Sequence, residues 1–108
     1  MSTKLGEKIR ELRKKKKLTL EELALKIGSG KSYIWELENR GVKRPSAEKL
    51  TAIAKILEVT PEYLLDNSKE VTEVDAVDQA FFRKYQDMPV KTKEKIRKSL
   101  DLFWEDDD

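Results

Sequence analysis

Ser29-Gly30-Lys31-Ser32 is the run whose residue types most directly suggest chemistry. A Gly-Lys-Ser ending is how phosphate-cradling loops finish, the lysine reaching a phosphate and the hydroxyl a metal ion. Such a loop needs an earlier glycine where this chain has Leu25, and it follows a strand. Here the preceding residues repeat at helical spacing, so that kind of nucleotide binding is excluded. The chain has no histidine and no cysteine, which removes the usual general base, thiol nucleophile and zinc ligands. Carboxylates abound, but no spacing sets two of them into an enclosed pair. The four acids of residues 105–108 have no rigid frame that would make them a metal site. Neither an enzyme nor a metal or cofactor is expected.

What must position Lys31 and Ser32 is the stretch of residues 18–39, which reads as two short helices and a tight turn. Thr19 is an N-cap and Glu22 follows three residues on, the spacing of a capping box. Leu20, Leu23, Ala24 and Ile27 form one apolar face. Gly28 stops the helix by adopting the left-handed conformation. Ser29 or Gly30 caps the next helix, with Ile34 and Leu37 on its buried side. This is a helix-turn-helix, a unit that lays its second helix in the DNA major groove.

The composition fits that reading. The 108 residues suffice for one domain and an appendage, and 41% of them are charged. Period-2 runs are absent, so an all-α fold is expected. No apolar run approaches membrane length, and residues 1–17 lack a signal-peptide core. The absence of cysteine suits a reducing cytoplasm, with nucleoid association when DNA is bound. The net charge of +2 conceals a gradient: residues 1–44 hold 13 Lys/Arg against 6 Asp/Glu, while both later segments are net acidic. A polyanion is therefore met at the N-terminal end.

The remaining elements follow in order. A first helix is expected from about Lys4 to Lys16, with Leu5, Ile9 and Leu12 inside. Its closing lysines, residues 14–17, either suit the negative pole of the helix dipole or touch phosphate. Residues 40–45 form a cationic loop containing Lys43 and Arg44. Ser46 caps a fourth helix whose stripe is Leu50, Ile53, Ala54 and Leu57. Thr60 and Pro61 open a fifth, where Leu64 and Leu65 close the core. The first domain spans residues 1–67. Residues 68–108 form a helical tail with an acidic end. Thr72 caps a sixth helix carrying Val74, Val77, Phe81, Tyr85 and Met88; Pro89 breaks it; a seventh carries Ile96, Leu100, Phe103 and Trp104. A helical hairpin of this size cannot bury both stripes, so they pack on the first domain or on another chain.

Taken together, LTLEELALKIG, the SYIWELEN helix, the VKRPS loop and the EVTPEYLL ending resemble the phage-repressor (lambda-repressor/Cro-like, xenobiotic-response-element type) helix-turn-helix regulators. The resemblance covers about 65 of the 108 residues. It implies a five-helix DNA-binding domain and a transcriptional regulator that represses by binding a pseudo-palindromic operator in double-stranded DNA as a homodimer.

By position in that family, Gly30, Lys31, Ser32 and Glu36 face base edges, with Trp35 at the rim. Lys31 can donate to guanine, Ser32 can donate or accept, and Glu36 can accept from cytosine. Trp35 either stacks on the DNA backbone or covers the loop near Arg40. Lys43, Arg44, Asn39, Tyr33 and Lys17 are expected at phosphates. The family usually has glutamine at the position of Leu20; leucine cannot grip a phosphate, so nearby lysines must compensate. Arg13 and Glu38 correspond to a partly buried ion pair. Phe81, Tyr85, Ile96, Leu100, Phe103 and Trp104 are expected to form a homodimer interface, or to fold back on their own domain. A second reading makes the chain an antitoxin or immunity-type regulator whose tail binds a toxin or a regulatory protease.

Overall fold

Four of the helix starts are set by a capping side chain. Thr19 accepts a hydrogen bond from the Glu22 backbone N–H, and the Glu22 carboxylate accepts one from the Thr19 N–H, both at 3.0 Å. The capping box opens α2 (Leu20–Lys26). Ser46 caps α4 (Ala47–Leu57), Thr60 with Pro61 opens α5 (Pro61–Leu65), and Thr72 caps α6 (Glu73–Gln86). The two others in this first set are α1 (Lys4–Lys15) and α3 (Lys31–Asn39); α7 (Val90–Trp104) follows Pro89. These bounds come from a computed structural model that describes residues 4–41, 44–66 and 70–104. Among the described residues the chain is all-helical. Helix α1 ends at Lys15, and Lys17 takes a left-handed φ of 59° beyond it.

Helices α1 to α5 enclose one core. Ile9 and Leu12 of α1 meet Leu23, Ile34, Ile53, Leu57 and Leu64, all buried. Gly6 lets α1 lie directly on the end of α3: a Cβ there would stand 2.4 Å from the Leu37 carbonyl oxygen. Lys8 reaches across to the last turn of α5. Its ammonium donates to the carbonyls of Tyr63 (2.7 Å) and Asp66 (2.5 Å) and lies 4.3 Å from the Tyr63 ring centre. A cation suits that carbonyl end of a helix. Leu65 does not close the core as expected; it is 48% exposed, because Leu64 alone of the pair points inward from this one-turn helix.

The tail is seated on the domain by one small residue. Ala76 of α6 is fully buried in the core cluster, flanked by the ion pairs Lys15–Glu73 (2.7 Å) and Arg83–Glu62 (3.1 Å). The stripe read from the sequence points elsewhere: Val74, Val77 and Phe81 are exposed, and Phe81 stacks along Tyr85 at 6.4 Å. Tyr85 is where α7 meets α6. Arg97 Nε donates to its hydroxyl at 2.8 Å, and the cations of Lys93 and Arg97 lie 5.5 and 6.0 Å from its ring. Helix α7 itself buries no residue. The described chain is accordingly elongated, 52 × 29 × 23 Å.

Candidate nucleic-acid interface

Helix α3 owes its orientation to one buried edge. Ile34, Leu37 and Glu38 face the core, so the 3.6-residue repeat turns Lys31, Ser32, Trp35 and Glu36 outward, and all four are exposed. The turn before it is fixed by Gly28 at φ 71° and by the Ser29 N–H donating to the Ala24 carbonyl at 2.8 Å. Gly30 occupies the N-cap without a side-chain cap. The first N–H groups of α3 therefore face outward without a competing hydroxyl, where the helix dipole favours an anion.

The exposed face carries donors and acceptors in the mixture that base edges need. The Lys31 ammonium stands 3.5 Å from the Glu21 carboxylate on α2, a loose surface pair. Trp35 is 42% exposed, and the Arg40 guanidinium lies 5.2 Å over its ring, so the loop-covering expectation for Trp35 describes its observed neighbour. Asn39 spends its amide on its own helix, Nδ2 donating to the Trp35 carbonyl at 2.9 Å.

Hydrogen-bond donors of the kind phosphate accepts from lie at the edge of α3. Tyr33 is half-buried, and desolvation pushes its phenol pKa up, so its hydroxyl stays a neutral donor. Lys49, which the sequence reading did not select, comes from α4 to donate to the Ser29 hydroxyl and stands 5.8 Å from the Tyr33 ring. It joins the start of α4 to the turn that opens α3. Nothing in local sequence marks it, because the contact spans 20 residues. Arg44 is exposed before α4, while Lys43 lies outside the described residues. In the lysine run, Lys15 and Lys16 already bind Glu73 and Glu58, and Lys17 is exposed. Leu20 packs half-buried against the core, so its side chain serves the interior.

Beneath this surface Arg13 ties α1 to α3. Its Nε and Nη2 donate to the two carboxylate oxygens of Glu38 at 2.7 and 2.9 Å, and Nη1 donates to the Leu18 carbonyl at 2.9 Å. The hydrogen bond to Glu38 raises the Arg13 pKa further, so the cation is permanent.

The six tail residues form no closed cluster within one chain. Phe81, Leu100, Phe103 and Trp104 are exposed, and Tyr85 and Ile96 are half-buried.

Comparison with known proteins agrees with this fold. The Helix-turn-helix family model matches residues 9–64. The HTH-type transcriptional regulator SinR of Bacillus subtilis (strain 168) is 38% identical over 71 residues, 66% of this chain and 63% of SinR. The chain thus spans less than two thirds of the length of that curated relative. Among solved structures, SinR in complex with DNA, described there as the master regulator for biofilm formation, superposes with a TM-score of 0.54 at 37% identity. It covers 57% of this chain and 98% of that one. A SinR protein/SinI protein complex superposes with a TM-score of 0.57 at 25% identity, covering 94% of this chain and 98% of that one.

Proposed function

The chain belongs to the helix-turn-helix family of phage-repressor type, and on that premise we propose that it is a sequence-specific DNA-binding transcriptional regulator acting as a repressor. One observation carries the reading: the start of α3 presents Lys31, Ser32 and Glu36 to solvent, while Ile34, Leu37 and Glu38 anchor the opposite side. Lys31 donates to guanine, Ser32 donates or accepts, and Glu36 accepts from cytosine. Arg44, Lys49 and Tyr33 hold phosphates, with Lys17, Lys43 and Asn39 at the margins. The likeness to SinR, whose structure with DNA is known, supports DNA binding by this domain. A regulator of this kind would work in the cytoplasm, on the nucleoid.

The protein binds as a homodimer through Phe81, Tyr85, Ile96, Leu100, Phe103 and Trp104, whose apolar surface α7 leaves uncovered. Two copies would meet half-sites one DNA turn, ~34 Å, or a multiple apart. Selection of bound oligonucleotides from a random pool tests both claims. A two-fold repeated half-site is the expected result; equal retention of scrambled sequences rejects specific recognition.

A second reading gives the tail to another protein, making the chain an antitoxin or immunity-type regulator that binds a toxin or regulatory protease. Helix α7, which buries no residue, and the likeness to a SinR/SinI complex favour it. Recovery of a stoichiometric toxin or protease with the native protein would support it, and a lone homodimer would weigh against it.

A further inference from the structure

The first halves of α6 and α7 carry opposite charge. In α6 the exposed acids Asp75 and Asp78 lie there. In α7 the same half holds Lys91, Lys93, Lys95 and Arg97 against Glu94. By the 3.6-residue repeat, Asp75 and Asp78 fall beside the edge of the α6 stripe that carries Phe81 and Tyr85. Lys93 and Arg97 fall along one edge of the α7 stripe that carries Ile96 and Leu100. Each edge thus sets two like charges about one turn apart beside an uncovered apolar face.

Within one chain these edges do not meet. Lys93 and Arg97 are both held at the Tyr85 ring. Asp78 lies about 10 Å and Asp75 about 15 Å back along α6 from that ring, at 1.5 Å per residue. Nor would closing α7 along α6 bring them together. With Lys93 level with Tyr85, antiparallel pairing sets Leu100 at the level of Asp78 and Phe103 at the level of Asp75, so neither acid meets a cation. Closure of the hairpin on itself would therefore leave Asp75 and Asp78 without a cation from α7, and Phe81 and Leu100 are exposed.

We propose that the first half of α7 seats on the first half of α6 of a second copy, with Lys93 and Arg97 against that copy's Asp75 and Asp78. The proposal rests on the homodimer reading above and names the surfaces that meet. A two-fold axis repeats the contact, since each copy supplies one acidic and one cationic edge. The apolar stripes supply the buried area, and the charged edges select the partner.

Charge exchange in the full-length chain tests the pairing. One variant carries Asp75→Lys with Asp78→Lys; the other carries Lys93→Glu with Arg97→Glu. Native mass spectrometry reads the species formed by each alone and by the mixture, one variant bearing a small mass tag. Each variant alone should dimerise on the order of tenfold more weakly than the wild type, since both its contacts set like charges together. The mixture should form the heterodimer well beyond a statistical share, because both its contacts are again opposite in charge. That recovery also separates lost pairing from lost folding. A wild-type dimer whose variants associate normally or mix statistically overturns the pairing alone. A wild type that stays monomeric at every concentration overturns the homodimer reading and the pairing with it.

Discussion

Arg13 and Glu38 meet in a two-bond fork, 2.7 and 2.9 Å, with the Glu38 side chain 1% exposed to solvent. The pair joins α1 to α3 from beneath. Deleting one partner strands a buried charge, which costs about 3–5 kcal/mol, whereas replacing both with apolar groups of similar volume is often neutral or stabilising. Glu38→Ala should therefore lower the thermal midpoint sharply, and Arg13→Met with Glu38→Leu should recover much of the loss. Unchanged melting of Glu38→Ala would reject the structural role of the pair.

Lys31 and Arg44 should fail differently. A base-reading side chain carries about 1–3 kcal/mol of discrimination against the wrong base. Lys31→Ala should thus reduce the ratio of specific to non-specific binding. Arg44→Gln should weaken binding to every sequence about equally and reduce the slope of log affinity against log salt by roughly 0.9. Fluorescence anisotropy with cognate and scrambled duplexes across a salt series checks both.

Gly6 should tolerate no side chain. The Cβ of Gly6→Ala would stand 2.4 Å from the Leu37 carbonyl oxygen and 2.9 Å from that of Glu38, both rigid backbone. Forcing α1 away from α3 should cost about 1–3 kcal/mol, as overpacking does, despite alanine's better helix propensity. Chemical denaturation measures the change.

Glu22 should contribute to stability only while ionised. Its hydrogen bond from the Thr19 backbone N–H, and then that from the Thr19 hydroxyl, hold its carboxyl below the ordinary value. A depressed folded-state pKa gives stability that is complete above the unfolded value of about 4.3 and fades as pH falls through the folded value. The midpoint difference between wild type and Glu22→Ala should accordingly be largest above about pH 5 and shrink towards pH 3. A difference independent of pH would exclude the ionised capping box.

Features written in neighbouring residues were legible in the sequence. Thr19, Ser46, Thr60 and Thr72 each cap the helix expected of them, and Gly28 takes its left-handed turn, because partners within a few residues decide these geometries. The Arg13–Glu38 pair spans 25 residues and was visible only through resemblance to a family. Contacts between distant elements left no local mark. Lys49 with Ser29, Lys8 with the end of α5, and Gly6 against α3 all depend on how the helices stack. Ala76 was missed for a different reason. A stripe of Val74, Val77 and Phe81 dominates the apolar pattern of α6, yet the helix docks through its smallest residue, where backbones approach closely.

That buried alanine fixes where the tail leaves the domain. In the proposed tail-built dimer, α6 seated through Ala76 would let the protein set the gap between the two DNA-binding domains, and the DNA would have to conform. Each added base pair swings one half-site by roughly 35° around the duplex axis. Operators lengthened by a single pair should be refused, and loosening the Ala76 seat should restore their acceptance.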